Sequence, residues 1–467
     1  MVPAREDRRV AVRLGAAVAL FLLLLGQAQV TVLDGTSMLA VAQSIVHDGS
    51  LAVPPPLGVP GDDGLYFSKY GLLLPLLSVL PVALVQPLGL LTGRLDLLEA
   101  AAAASLMPLI AGALAAALFA LGRRLGAPRA AALLVAAGTV LGTYLLPYGH
   151  DFFTEPLVAL GLVAMIERAL AGRELQAGGA LALAVLARPQ SAAFVPLLFA
   201  YLALRGGGGG IESRIGAIAR TLPPLAVAAV ITVAYNLVRF ADPLEFGYRP
   251  PVDPGFTTPL LEGTAGLLLS PEKSIVLFAP AILLVPLALV ALWRAQRATA
   301  ALLAALFATT FVLAATWHSW FGGWSWGPRL VIPGVAVLLV ALAPWIGSSA
   351  RRMRLAGALF ALGFVLSLAA LLAPPGAQLL DRRAGTDGPQ ITRQVRELPQ
   401  LTRRSLQAGS DRSAREDDYR RYLALWQTNV VRQLGGAGWL VAVLGTIALL
   451  AALSWVARPL RAQLRSG

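Results

Sequence analysis

The polar segment of residues 33–70, LDGTSMLAVAQSIVHDGSLAVPPPLGVPGDDGLYFSKY, holds residue types that could carry out acid–base chemistry. Asp34 stands near its start, and Lys69 and Tyr70 close it. A carboxylate can take the proton of an attacking hydroxyl, and a lysine can stabilise negative charge on a leaving group. Because the segment follows directly on the first long apolar run, we expect it to serve catalysis or ligand binding. The simpler alternative is that Asp34 is only a solvated carboxylate.

A second polar segment, YGHDFFTEP (residues 148–156), supplies His150, Asp151 and Glu155. Asp151 and Glu155 are four residues apart, so on a helix they would share one face. Two like charges there repel each other unless they share a cation, a ligand or a proton, and we therefore predict that both carboxylates are catalytic. The alternative is that Glu155 caps a helix whose first turn contains the following proline.

Arg188 lies between two short apolar runs in LALAVLARPQSAAFVPLL. Each run is too short to cross a bilayer, which requires about 20 residues of helix. The turn at Arg188 is therefore expected just below the outer surface. A charge at that depth is costly and marks a functional site by default, which makes Arg188 a candidate functional residue. The alternative is an arginine that extends its head group to the interface.

The segment WHSWFGGWSWGPRLVIPG, residues 317–334, combines four tryptophans with Arg329. An arginine can bind a phosphate through two hydrogen bonds, and tryptophan faces suit sugar rings or prenyl chains. The alternative is the aromatic belt that is usual at a membrane interface. We predict that substrate is contacted by aromatic and histidine side chains of the outer polar segments, namely Tyr70, His150, Tyr248, His318, Trp324 and Trp326.

Composition identifies the chain as a polytopic membrane protein. Of its 467 residues, 57% are hydrophobic and only 13% are charged, whereas soluble domains average about 25% charged residues. Cysteine is absent, which excludes disulfides, thiolate metal sites and cysteine nucleophiles. The net charge of +13 is explained by arginines in cytoplasmic loops, so a nucleic-acid partner is not expected.

The basic loops favour about twelve transmembrane helices with both termini in the cytoplasm. Residues 71–93 are apolar enough to cross, but counting them as a crossing would turn every later basic loop outward. Pro75, Pro81 and Pro87 also interrupt this segment, and proline breaks helices. We therefore predict that residues 71–93 are re-entrant or lie at the outer interface. The alternative is an ordinary kinked crossing.

Three regions follow from this topology. Residues 1–373 form the transmembrane domain with the site, residues 374–435 form a small outer helical cap, and residues 436–467 form the last crossing and a basic cytoplasmic tail. The N-terminus has some features of a signal peptide, but we favour an uncleaved first crossing. The polar residues named above then face the exterior.

The order of several motifs resembles the GT-C superfamily of membrane glycosyltransferases, and in particular the bacterial members akin to protein O-mannosyltransferases and to the lipid A aminoarabinose transferase. The resemblance covers most of residues 10–350 and is specific in the order of its pieces rather than in any single one. Those pieces are DGTSMLAVAQSIVHDG, FSKYGLLLP, GRRLGAPRAAALLVAAGT, TEPL, LARPQ, YNLVRFADPLEFGY, LLLSPEKSIVLFAP and WFGGWSWGPRLVIP.

The resemblance implies an all-α GT-C fold with interfacial helices in its first outer loop. It implies that Asp34 is the catalytic acid of that loop, that Glu155 is the second acidic position and that Lys69 meets the carrier phosphate. Many relatives have Asp-Glu or Asp-x-Asp where this chain has Asp34-Gly35. Because that acidic partner is missing, we expect no metal and no other cofactor.

The expected function is transfer of a sugar from a polyprenyl-phosphate carrier to an acceptor hydroxyl, with inversion and with Asp34 as general base. Arg188 and Arg329 join Lys69 at the phosphate. The partners would be the sugar donor, the bilayer and an acceptor glycan, lipid or protein, at the periplasmic face of a bacterial inner membrane. The alternatives are a lipid or small-molecule transporter or flippase, and a catalytically inactive relative that binds the carrier.

Overall fold

The computed structural model describes residues 5–30, 32–205, 210–251, 253–323, 325–372, 426–427, 430 and 436–465. Within these ranges the secondary structure is almost entirely helical. The described strands are one antiparallel pair, β1 (Val59–Pro60) and β2 (Tyr66–Phe67), in the first polar segment. A helix satisfies its own backbone hydrogen bonds, so this is the structure expected of a chain in lipid.

The helices are numbered in chain order. The first half of the chain contains α1 (Arg5–Leu25), α2 (Leu33–Asp48), α3 (Leu73–Thr92), α4 (Leu95–Ala104), α5 (Leu106–Arg124), α6 (Arg129–Leu141), α7 (Leu145–Tyr148), α8 (Glu155–Leu170), α9 (Glu174–Ala187) and α10 (Val195–Leu204). The second half contains α11 (Ile211–Ala219), α12 (Leu222–Phe240), α13 (Leu260–Leu269), α14 (Ile275–Phe278), α15 (Val285–Ala295), α16 (Arg297–Thr316), α17 (Ile332–Leu339), α18 (Leu342–Ile346), α19 (Ala350–Leu372) and α20 (Gly436–Arg465). Short 3₁₀ segments occupy Pro55–Leu57, Pro189–Phe194, Pro280–Leu284 and Arg329–Val331.

Five helical stretches of the described chain are long and apolar enough to cross a membrane by themselves: Leu73–Thr92, Leu95–Arg124, Ile211–Phe240, Arg297–Thr316 and Gly436–Leu460. Shorter apolar helices of 10–17 residues accompany them. The chain is therefore a multi-pass membrane protein, while the number of twelve crossings stays a prediction.

Helices α1 and α5 form an antiparallel pair. Asp7 in the first turn of α1 binds Arg123 at the end of α5 at 3.1 Å, and it also binds Arg129 at 2.7 Å. Midway along the pair the backbones touch, because a Cβ on Gly15 would lie 2.8 Å from the Gly112 carbonyl oxygen. The Asp7–Arg123 pair thus marks one end of the bundle, which we call the basic end.

Helix α3 corrects one expectation from the sequence. The prolines were expected to break residues 71–93, but α3 runs continuously through Pro81 and Pro87. Each internal proline removes a single backbone hydrogen bond, and the bonds of the residues on either side keep the helix intact.

The packing of α3 places both of its ends away from the basic end. Before its start, Gly71 lies against the carbonyl of Ala187, the last residue of α9. At its other end, Gly93 turns the chain with φ +64° into α4. Helices α4 and α5 together form a stretch of 30 residues. Its first ten residues lie beyond the part that pairs with α1, and at 1.5 Å per residue they extend about 15 Å. Both ends of α3 therefore lie away from the basic end, and its outer, interfacial position stays a prediction.

The predicted outer cap, residues 374–435, lies outside the described residues except for 426, 427 and 430. The Trp426 N–H donates to the Gly26 carbonyl at 2.8 Å, and Gln427 Nε2 donates to the Leu24 carbonyl at 2.9 Å. These residues therefore contact the end of α1 that is remote from the basic end. The division into three regions stays a prediction.

Candidate active site

A cavity of about 690 Å³ lies at the end of the bundle opposite the basic end. Its volume falls within the range of about 300–1,000 Å³ that is usual for small-molecule sites. Helices α8 and α9 fix this location, because their other ends carry Glu167 bound to Arg124 at 2.6 Å and Glu174 bound to Arg205 at 2.5 Å. The charged side chains that line the cavity come from separate segments of the chain: Asp34, Lys69, Glu155, Arg188, Glu245, Asp253 and Arg329.

Asp34 and Arg329 both line the cavity, and they form an ion pair with each other. Asp34 lies in the first turn of α2, where the helix dipole favours a negative charge. Its Oδ2 accepts a hydrogen bond from Arg329 Nη1 at 2.8 Å, and the guanidinium lies over the Phe153 ring at 4.5 Å. Asp34 is therefore not a freely solvated carboxylate.

The electrostatics of this pair keep both groups charged. Burial raises the pKa of Asp34. The Arg329 guanidinium and a hydrogen bond from the Tyr70 hydroxyl together lower it by more, so the pKa of Asp34 lies below its ordinary value. Burial lowers the pKa of Arg329, and the charges of Asp34 and Glu155 more than compensate, so that pKa lies above its ordinary value.

Glu155 is the first residue of α8 and is only 2% exposed. Its Oε1 accepts a hydrogen bond from Arg188 Nη1 at 2.6 Å and lies 3.8 Å from Arg329 Nε. Its Oε2 is buried and has no partner within the described residues. Gln190, with its amide oxygen turned toward the guanidinium, accepts from Arg188 Nε at 2.9 Å and Nη2 at 3.0 Å. Arg188 is thus paired inside the protein and does not reach for the interface.

Lys69 forms a second charged group at the same cavity. Its Nζ donates to Asp253 Oδ2 at 2.5 Å, and His318 Nε2 lies 3.5 Å from Asp253 Oδ1. The Lys69 ammonium also lies over the Tyr248 ring at 5.1 Å. Sequence reasoning did not identify Asp253, although it is an acid in the proline-rich stretch RPPVDP that follows Tyr248.

Aromatic rings build one wall of the cavity beside Lys69. Tyr248 and Phe256 pack edge-on against Trp317, with centroid distances of 5.4 and 5.1 Å, and His318 lies 4.8 Å from the Trp317 ring. All four side chains line the cavity. They could bind a sugar ring or an isoprenoid chain by stacking and apolar contact.

Three predicted site residues lie behind the cavity and do not line it. Asp151 precedes α8 in a loop, so the prediction that it shares a helix face with Glu155 is wrong. Burial raises its pKa to about 7, and burial lowers the pKa of neighbouring His150 to about 4. Trp326 is 1% exposed and packs on Phe278 at 5.0 Å. His150 and Trp326 are both enclosed by the core and do not line the cavity, so their predicted contact with substrate has no support from this geometry.

Trp324 lies outside the described residues. The remaining predicted residues, namely Asp34, Lys69, Tyr70, Glu155, Arg188, Tyr248, His318 and Arg329, all line the cavity. Within the described part of the chain no group of three or more histidine and acidic side chains is arranged to hold a metal ion.

No protein-family model matches the sequence, and no curated protein is significantly similar to it. The structure is similar to that of ArnT from Cupriavidus metallidurans bound to undecaprenyl phosphate, with 13% identity, a TM-score of 0.50, and coverage of 96% of this chain and 74% of the ArnT chain. The apo form of the same protein gives 13% identity, a TM-score of 0.46 and coverage of 94% and 72%. The apo oligosaccharyltransferase from Archaeoglobus fulgidus gives 14% identity, a TM-score of 0.43 and coverage of 92% and 58%.

The likeness to ArnT confirms the fold class that the sequence motifs indicated. ArnT is a GT-C glycosyltransferase, and at this identity the comparison shows the shared fold alone. A fold can carry unrelated functions, so function has to be argued from the cavity.

Proposed function

We propose that this chain is a glycosyltransferase that moves a sugar from a polyprenyl-phosphate carrier to an acceptor hydroxyl. The observation that supports this most strongly is the convergence of Lys69, Arg188 and Arg329 with two carboxylates, Asp34 and Glu155, in one cavity at one end of a membrane bundle. Such a site combines groups for an anionic leaving group with groups that can accept a proton.

The donor would be held by its phosphate and anchored by its lipid tail. Lys69, Arg188 and Arg329 are placed to compete for phosphate oxygens, and arginine can bind them in pairs. Undecaprenyl phosphate is the ligand named for the ArnT structure of similar fold, which makes a polyprenyl phosphate the first carrier to test. A lipid-anchored donor is held at the membrane by its tail, so its binding does not require a nucleotide-binding domain.

The transfer would proceed by one displacement with inversion at the anomeric carbon. The acceptor oxygen bonds to that carbon while the bond to the phosphate oxygen breaks, and the polyprenyl phosphate leaves with the electron pair. Asp34 takes the acceptor proton as general base, and the cations stabilise the charge on the departing phosphate. Glu155, whose Oε2 is unpartnered, would accept a hydrogen bond from a sugar hydroxyl.

In a bacterial cell this reaction would take place at the periplasmic face of the inner membrane. The arginine-rich loops at the basic end support a cytoplasmic position for that end under the positive-inside rule. The cavity lies at the opposite end, together with the outer loop of residues 33–70.

Asp34→Asn tests the proposed base, because it preserves the shape of the side chain and removes its ability to take a proton. We expect release of polyprenyl phosphate from a radiolabelled polyprenyl-phosphate sugar, measured in membranes that contain acceptors, to fall by about 100-fold or more. Asp48→Asn is the matched control, because Asp48 is exposed at the other end of α2, and it should leave the rate unchanged.

Full activity of folded Asp34→Asn would remove Asp34 from the mechanism. If the wild-type protein converts no donor but moves polyprenyl-phosphate sugars across liposome membranes, the chain is a flippase instead. If it binds the carrier without either activity, it is an inactive relative.

A further inference from the structure

Lys273 is a buried cation that the proposed reaction does not use. It lies between α13 and α14 and is 5% exposed. Its Nζ donates to three main-chain carbonyls of one loop, those of Ser325 at 2.5 Å, Gly327 at 3.2 Å and Gly323 at 3.4 Å. An ammonium carries three donors, and burying one is costly unless they are bonded. These carbonyls therefore bind the Lys273 ammonium, and the same hydrogen bonds fix the backbone that carries the carbonyls.

A second contact anchors the same loop. The Tyr148 hydroxyl donates to the Trp326 carbonyl at 2.7 Å. The Trp326 ring packs edge-on against Phe278, the last residue of the helix that follows Lys273. None of these anchoring side chains lines the cavity. The loop is thus pinned to the protein core by groups that have no direct access to a ligand in the cavity.

Arg329 follows this loop two residues after Gly327, and its side chain does line the cavity. Its backbone N–H donates to the Gly327 carbonyl at 3.1 Å, and this is one of the carbonyls that Lys273 holds. Lys273 and the Arg329 backbone therefore share an acceptor. A flexible arginine side chain loses rotamer freedom when it binds a ligand. If the backbone of that arginine is already fixed, only the side chain has to be ordered when the ligand binds.

We propose that Lys273 is a positioning residue that fixes the backbone of residues 325–327 and thereby sets Arg329 for phosphate binding. This inference rests on the proposed function, because it assumes that Arg329 binds the carrier phosphate. It also gives a role to the segment SPEK, residues 270–273, which no part of the proposed mechanism explains.

A double-mutant cycle tests the inference, with undecaprenyl phosphate as probe and the full-length protein in lipid nanodiscs. Lys273→Met should weaken binding about tenfold, since it removes hydrogen bonds from a charged donor. Arg329→Ala should weaken it about 100-fold, as loss of one member of a buried charged contact does. Because Lys273 acts through Arg329, the double variant should bind about as weakly as Arg329→Ala alone and not about 1,000-fold more weakly than the wild type.

Lys69→Ala provides the matched comparison, since Lys69 binds the same proposed phosphate from a different loop. Its effect should add to that of Lys273→Met within about twofold. A residue with a merely structural role would lower stability in every background and would not couple selectively to Arg329. Thermal unfolding of each variant separates the two effects.

Tyr148→Phe removes a single hydroxyl from the second anchor and serves if Lys273→Met does not fold. It should show the same selective coupling to Arg329. If Lys273→Met or Tyr148→Phe adds fully to Arg329→Ala, or leaves binding unchanged, the inference is wrong while the proposed function stands. If the wild type does not bind undecaprenyl phosphate, the proposed function fails and this inference fails with it.

Discussion

Each cation that we propose for phosphate binding is already paired with a carboxylate. The pairs are Lys69 with Asp253 at 2.5 Å, Arg188 with Glu155 at 2.6 Å and Arg329 with Asp34 at 2.8 Å. An incoming phosphate must therefore take over contacts that carboxylates now hold. When Arg329 turns toward the phosphate, its guanidinium no longer lowers the pKa of Asp34 as strongly. Asp34 therefore becomes a stronger base as the donor binds.

The pH dependence of Arg329→Gln tests this coupling between Asp34 and Arg329. Asp34 must be deprotonated to act as base, so activity falls as the pH drops through its pKa. In the wild type Arg329 helps to hold that pKa down against the raising effect of burial. The variant should therefore lose activity at a higher pH on the acid side, which a profile of rate against pH will show.

Lys69→Gln is the comparison for this measurement, because Lys69 is not among the groups that shift the pKa of Asp34. It should lower the rate without moving the acid limb. An acid limb at the same pH in wild type and Arg329→Gln would show that Asp34 is not the titrating group.

Residue types and their order in the chain were sufficient to predict five of the seven charged side chains that line the cavity. They could not give the pairings, because Asp34 and Arg329 are 295 positions apart and only the folded bundle brings them together. Asp253 was missed for the same reason, since its contact with Lys69 joins residues 184 positions apart. His150 and Asp151 do not line the cavity, because α8 starts at Glu155 and leaves both residues in a buried loop.

At the scale of elements, one buried carboxylate joins helices α2, α3 and α4. Glu99 on α4 is 1% exposed and accepts hydrogen bonds from Gln43 on α2 at 2.6 Å and Gln86 on α3 at 2.5 Å. His47 Nε2, also on α2, lies 2.7 Å from Glu99 Oε1, the oxygen that Gln86 also binds, whereas Gln43 binds Oε2. These helices lead to the segments that carry Asp34 and Lys69, so Glu99 is expected to stabilise the geometry of the site.

Glu99→Ala should destabilise the protein, because it leaves the two glutamine amides and His47 without their shared acceptor. Loss of buried hydrogen bonds to a charged group corresponds to about 1.5–3 kcal/mol, and thermal unfolding in detergent should begin at a lower temperature. Asp96→Ala is the matched control, because Asp96 is exposed on the same helix. Equal unfolding temperatures for the two variants would contradict the role of Glu99.

The prediction for residues 71–93 shows where sequence patterns are ambiguous. Prolines at 81 and 87 indicated a broken helix, yet α3 is continuous, because the hydrogen bonds around each proline persist. The charge bias of the later loops depends on the whole topology and not on local helix propensity, and the interfacial position that it predicts for residues 71–93 stays a prediction.

At the scale of the whole molecule, the two ends of the bundle differ in chemistry. Salt bridges between acidic helix ends and arginines close the basic end, and the cavity with its outer loop occupies the other. The GT-C fold and the multi-pass character could be predicted from apolar runs, basic loops and motif order. The helical cap that the sequence predicts for residues 374–435 stays a prediction, because only residues 426, 427 and 430 of it belong to the described part of the chain.

The orientation can be tested by cysteine labelling, since the natural chain has no cysteine. Thr92→Cys, at the end of α3, should react with a membrane-impermeant maleimide on spheroplasts if α3 lies at the outer interface. Asp62→Cys in the outer loop should also react, and Arg173→Cys between α8 and α9 should react only after the cells are opened. Protection of Thr92→Cys in spheroplasts, with labelling after lysis, would mean that α3 crosses the membrane.

The most direct test of the account is to locate the phosphate of undecaprenyl phosphate in a structure of the complex by electron cryomicroscopy. We predict phosphate density in the cavity, with oxygens within about 3.2 Å of nitrogen atoms of Lys69 and Arg329 and with Asp34 facing the place of the acceptor. Phosphate density outside the cavity, with the Asp34–Arg329 and Lys69–Asp253 pairs intact, would contradict the proposed function.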